Sequence, residues 1–132
     1  MNMKTDDSEF ALNEIGQIAI TISDLDKAVA FYRDILRLKH LFSAPPGLAF
    51  FSAGTVRLML SRSEQEGSEK FSSVLYFKVA DIEKAHDILV SRGVKFEAAP
   101  HQIAKMPDHE LWMAFFRDPD RNLLALMCEN PT

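Results

Sequence analysis

The chain contains one pattern twice. Residues 15–36 (IGQIAITISDLDKAVAFYRDIL) superpose on residues 72–93 (SSVLYFKVADIEKAHDILVSRG) at an offset of 57, which lays Asp24, Lys27 and Ala28 on Asp81, Lys84 and Ala85. The apolar positions follow the same frame, with Ile18, Ile20 and Ile22 on Leu75, Phe77 and Val79. Further along, Ala49-Phe50-Phe51 with Val56–Leu60 resembles Ala114-Phe115-Phe116 with Leu123–Met127. A solenoid needs more than two copies, so the pattern specifies a tandem pair of one supersecondary module. At 132 residues the chain is long enough for a single packed domain, each module supplying half of the core.

Each module opens with a strand. Ile18, Ile20 and Ile22 alternate with Gln17, Ala19 and Thr21, the period-2 signature of a strand with one apolar face. The first helix is expected over Leu25–Leu36, capped by Asp24 and carrying Ala28, Phe31, Tyr32 and Ile35 as its apolar stripe. The second starts after Asp81 and stops at Gly93. Strands are then expected near His40–Ser43, Leu48–Ser52 and Val56–Ser61, and again at Lys95–Ala98, Leu111–Arg117 and Leu123–Cys128. The resulting class is α+β: tandem βαβββ modules over 14–62 and 72–130 forming one domain over 14–130, with a polar linker at 63–71 and an N-terminal tail at 1–13.

Composition narrows the function classes. A net charge of −4 gives no electrostatic footprint for nucleic acid. No apolar run reaches membrane-spanning length, and the polar start with Asp6, Asp7 and Glu9 does not read as a signal peptide. The single cysteine, Cys128, excludes a disulfide framework and is assigned no chemistry, so a cytoplasmic protein is expected. No Gly-rich phosphate loop or Ser-His-Asp spacing is visible.

The stretches Ile18–Tyr32, Leu75–Ala85, Arg92–Phe96 and Phe116–Leu126 (FRDPDRNLLAL) resemble the vicinal oxygen chelate superfamily, which includes glyoxalase I, methylmalonyl-CoA epimerase, extradiol dioxygenases and the bleomycin-resistance proteins. The resemblance implies that each module curls its mixed sheet into half of a cup, and that the protein is a homodimer. It also implies four metal-ligand positions, at the first and last strand of each module. Here they hold Gln17, Val74, Met59 and Ala125. Only Gln17 suits a hard or borderline ion, and neither last-strand position carries the carboxylate that acid–base chemistry uses. A one-residue slip brings in only Leu58, Leu60, Leu124 or Leu126, so no carboxylate is recovered. No cofactor is therefore expected, with a divalent metal kept only as the alternative.

Alternation places Arg57 and Ser61 with Met59, and Tyr76 and Lys78 with Val74, on the cup face. Arg57 suits a carboxylate or phosphate, or else stands solvated or acid-paired at the mouth. The segment Pro100–Trp112 is expected as a loop closing the cup. It holds His101, His109, Glu110 and Trp112, with His109 the candidate acid or base and His101, His109 and Glu110 a conceivable displaced metal set. Arg121 stands where the family commonly has Gly, so a different turn is expected there, or Asn122 takes the strain. Gln17, Arg57, Met59, Tyr76, His109 and Trp112 are the expected ligand contacts. Three functions follow: a metal-free binder of a small apolar or anionic molecule; a lyase or isomerase of the glyoxalase or epimerase type, with an unusual metal site or His109 as base; or a non-catalytic interaction module.

Overall fold

Side-chain alternation in the opening strand sets the layers. In the computed structural model, which describes residues 14–62 and 73–132, strand β1 (Gln17–Ile22) buries Ile20 and Ile22 on one face and exposes Gln17 and Ala19 on the other. The tail at 1–13 and the linker at 63–71 lie outside the described residues. Helix α1 (Leu25–Ala30) starts at Asp24, whose carboxylate accepts from the Lys27 amide at 3.1 Å. Strands β2 (Lys39–Ala44), β3 (Leu48–Ala53) and β4 (Val56–Arg62) complete the first module. The second repeats it as β5 (Leu75–Lys78), α2 (Ile82–Ser91), β6 (His101–Lys105), β7 (His109–Arg117) and β8 (Leu123–Pro131). Asp81 caps α2 as Asp24 caps α1, again at 3.1 Å, and Gly93 ends the helix region at φ +95°.

Two four-stranded mixed sheets result, ordered β1-β4-β3-β2 and β5-β8-β7-β6. In each, the module's first strand runs parallel to its last, Gln17 beside Arg57 and Tyr76 beside Ala125. Even the irregularities repeat. Edge strands β2 and β6 each carry a register shift, at Leu41 and Ile103, which bends an otherwise open hydrogen-bonding edge. The helices cover one face of the sheets. Ile20, Tyr32, Phe51, Leu60, Phe116 and Leu124 form the centre of one continuous core there.

Three expectations change. The first helix turns π-helical at Phe31–Ile35, with the Leu36 amide donating to the Phe31 carbonyl at 3.0 Å. The wider turn lets consecutive Phe31 and Tyr32 both enter the core, edge to face at 5.4 Å. The strand expected at Lys95–Ala98 is a single bridge from Phe96 to Phe116. The segment expected as a closing loop is instead a hairpin, β6 with the start of β7.

The modules are joined at a buried polar corner. Asp118 is 4 % exposed, and its Oδ2 accepts from the Tyr32 hydroxyl at 2.9 Å and Asn122 Nδ2 at 2.8 Å. Its Oδ1 accepts from the amides of Asp120 and Asn122, each at 2.8 Å. Asn122 Nδ2 also donates to the Thr21 carbonyl at 3.0 Å, and Asp120 takes both the Ser23 amide, at 2.7 Å, and the Ser23 hydroxyl. Arg121 itself adopts the left-handed conformation at φ +68°, so neither a different turn nor Asn122 absorbs the missing glycine. The Asp118 contacts to residues 120 and 122 hold the chain in that shape.

Candidate functional site

The helix-free face of the first sheet gathers three of the expected residues around one guanidinium. Gln17 and Ala19 on β1 lie beside Arg57 and Met59 on β4 in parallel register, and Phe50 on β3 lies opposite Met59. Arg57 Nε donates to Gln17 Oε1 at 2.8 Å, and its guanidinium carbon stands 5.4 Å from the centre of the Phe50 ring. Ring and amide fix the plane of the guanidinium. Among the described residues no carboxylate pairs with Arg57, which leaves its terminal N–H fork free for an anion. Phe50 was missed from the sequence, although its alternation with buried Ala49 and Phe51 assigns it to this face.

The same residues test the implied metal site. The Gln17 amide oxygen is engaged by Arg57, and its NH2 points at the Met59 sulfur at 3.8 Å. At the other two positions, Val74 precedes β5 and Ala125 lies on β8. Neither side chain has a lone pair. Ala125 is fully buried, flanked in register by Tyr76 and Phe115, whose rings meet edge to face at 6.3 Å. The donors do not fit a divalent ion: a fixed cation holds the one suitable oxygen, and an aromatic pair covers the last-strand position. Nor do the described residues hold any group of three His, Cys, Asp or Glu side chains arranged for a metal.

The equivalent face of the second sheet carries the other candidates. Tyr76 is there, half exposed, and so is a charged string. His109 Nδ1 lies 2.7 Å from Asp108 Oδ1, its Nε2 lies 3.9 Å from Glu129, and Glu129 pairs with Lys78 at 3.1 Å. The hydrogen bond from His109, followed by a backbone hydrogen bond, holds the Asp108 carboxyl below its ordinary range. Glu129 escaped the sequence reading because β8 was expected to end at Cys128, where the apolar run stops; the strand continues to Pro131.

The remaining candidates lie elsewhere. Trp112 shares its strand face with buried Ala114 and Phe116 and packs toward the helices, away from Arg57 and His109. Its indole donates to Glu110 at 3.2 Å, on that same helix side. His101 sits across from Met113, four positions along β7 from His109, and bonds the Ala99 carbonyl at 3.0 Å. His101, His109 and Glu110 are therefore not brought together as a displaced metal set. The Arg57 contacts run within the first sheet, to Gln17 and Phe50, and the His109, Glu129 and Lys78 contacts lie on the second.

Comparison with known proteins adds independent information. The family model described as Glyoxalase/Bleomycin resistance protein/Dioxygenase superfamily matches residues 14–126. A Bacillus subtilis (strain 168) protein described as uncharacterized protein YraH is 33 % identical over 126 residues, covering 83 % of this chain and 94 % of that one. Among solved structures, a lactoylglutathione lyase from Agrobacterium tumefaciens aligns with a TM-score of 0.70 at 21 % identity, over 89 % of this chain and 94 % of that chain. A Glyoxalase/bleomycin resistance protein/dioxygenase superfamily member from Sphaerobacter thermophilus DSM 20745 aligns at 0.73 and 23 % identity, over 89 % and 98 %. At these identities the structural matches establish the fold.

Proposed function

The chain belongs to the glyoxalase/bleomycin resistance protein/dioxygenase superfamily, and on that premise we propose that it binds a small anionic molecule with an apolar body on the Arg57 face, without a metal ion. The observation that carries this reading is the Arg57 guanidinium held between Gln17 Oε1 at 2.8 Å and the Phe50 ring. A cation with two parallel N–H donors is fixed beside the amide oxygen that would otherwise serve a metal. Such a fork binds the two oxygens of a carboxylate side by side. Met59, Phe50 and Phe42, whose ring lies 4.6 Å from that of Phe50, offer the apolar wall. An apolar surface with a few convergent polar groups is the usual make-up of a small-molecule site.

A homodimer belongs to the same reading. The contacts of Arg57 stay within the first sheet, and those of Tyr76 and His109 lie on the second. A second copy laid across the first sheet would turn an open face into an enclosed site. The competing reading, a lyase or isomerase, rests on His109, which Asp108 orients through Nδ1 while Nε2 stays on the open face near Glu129.

The test is a thermal-shift and calorimetric series with benzoate, phenylacetate and phenylphosphonate against wild type, Arg57→Ala and Arg57→Lys, each with and without EDTA. Binding is expected in wild type, about tenfold weaker in Arg57→Ala, and indifferent to EDTA. A metal ion that co-purifies stoichiometrically and is required for binding overturns the reading. Turnover of a 2-oxoaldehyde–thiol adduct that is lost in His109→Gln would favour the enzyme instead.

A further inference from the structure

The helix side of the molecule is incompletely sealed where the modules meet. A cavity of about 280 Å³ opens between the end of the π-helical turn and α2, walled by Leu36, Leu38, Phe77 and Ile88. A second, of about 590 Å³, lies between β4 and β5, and it also contacts Leu38 and Phe77. The two share Leu38 and Phe77 as a common wall of the apolar seam, on the far side of the first sheet from the Arg57 fork. The larger falls in the size range of small-molecule sites. Leu36, Leu38 and Phe77 are only half-buried, although each packs on the core, so the seam leaves apolar surface in contact with water.

The charge at its rim is one-sided. Among the described residues, Arg92 is the only charged residue lining the smaller cavity. One of its terminal nitrogens donates to the Ile35 carbonyl at 2.8 Å, which tethers the guanidinium across the seam. No carboxylate pairs with it among the described residues. Lys78, at the larger cavity, is already neutralised by Glu129. An apolar slot with an uncompensated, half-buried arginine at one end is complementary to a long apolar body carrying one anionic head. We propose that this inter-module crevice binds a medium-chain aliphatic carboxylate, its chain lying along Leu38 and Phe77 and its head on Arg92.

The experiment is calorimetric titration of the full-length chain with decanoate, kept below its micelle concentration, and with decanol. In the Arg57→Ala chain, in which the open-face site is weakened, saturable binding at one site per chain is expected for decanoate. Arg92→Gln should weaken decanoate about tenfold while leaving decanol unchanged. Ala85→Phe, which fills the smaller cavity, should abolish both, with Ile88→Gln as a milder second variant if Ala85→Phe does not fold by circular dichroism. Arg92→Gln should leave benzoate binding at the open face unchanged, so failure of the open-face site and failure of the crevice are separable. Absence of decanoate binding in the Arg57→Ala chain, or equal binding once Arg92→Gln is added to it, overturns the proposal. So does a sedimentation profile showing a dimer that excludes decanoate, since the crevice is then closed by a second copy.

Discussion

Replacing Asp118 by Asn changes one atom of the polar corner and reverses its hydrogen-bonding sense. The carboxylate accepts four hydrogen bonds, two backbone amides on Oδ1 and the Tyr32 hydroxyl with Asn122 Nδ2 on Oδ2. An amide has one oxygen, and keeping it on the two backbone amides turns its NH2 toward Tyr32 and Asn122. The Tyr32 hydroxyl can rotate to accept, but Asn122 Nδ2 then faces another donor and retains only the Thr21 carbonyl. Opposing two buried donors costs about 1–3 kcal/mol, and each surviving bond loses about 1 kcal/mol of charge assistance. Relief from burying a charge offsets part of this. The net is a loss of about 3 kcal/mol, a large share of a typical domain's stability. Urea unfolding should show a midpoint lower by roughly 1–3 M at unchanged m-value. Tyr32→Phe alone should lose about 1.5 kcal/mol, and the double variant less than the sum, because both singles remove the same charge-assisted bond. A loss below about 1 kcal/mol for Asp118→Asn, or strict additivity, refutes a shared network at this corner.

Three further outcomes follow from the same geometry. Arg121→Gly should raise stability by about 1 kcal/mol, the left-handed penalty relieved less the added freedom of the unfolded chain, read as a higher urea midpoint. Burial, then the Asp118 charge, pushes the Tyr32 phenol far above its usual value of about 10. Because the unfolded phenol ionises first, stability should fall above about pH 10 with a slope near 1.4 kcal/mol per pH unit, and ultraviolet difference spectra should show one of the two tyrosines ionising only on unfolding. The depressed Asp108 carboxyl favours the folded state above its ordinary titration range and loses that contribution as pH falls through its folded value. Carbon-detected titration should therefore find the Asp108 midpoint low in wild type and higher in His109→Gln, where only the backbone hydrogen bond still lowers it.

The repeat made most of the architecture legible. A period-2 triplet followed by Asp at the same offset in both halves fixed β1, β5 and both helix starts, because alternation and side-chain capping are local physics. What escaped was decided by tertiary context. The π-turn at Phe31 follows from two consecutive aromatics competing for one core, which a 3.6-residue period does not anticipate. Strand β6 is nearly all exposed, so its residues carry no apolar alternation, and its pairing with β7 gives it its form. At the site, alternation put Gln17, Arg57 and Met59 on one face, while the contact between Arg57 and Phe50 depends on the register of the β3–β4 hairpin, which sets Phe50 opposite Met59. Trp112 was assigned by the segment it occupies; as part of a strand, its parity sends it to the helices.

The pairing of each module's first strand with its last has a consequence for how the protein is made. Gln17 waits for Arg57, forty residues later in synthesis, before its ladder exists. Until then β1 offers an unpaired edge, and β3–β4, a local hairpin, is the natural template for it. Once Arg62 has left the ribosome the first sheet can close without any contribution from the second module, since the two sheets share no strand. Asp118, Asp120 and Asn122 emerge more than fifty residues after that point. The polar corner thus joins the second module to a first sheet already able to close, and its formation marks the docking of the modules as a late event in biogenesis.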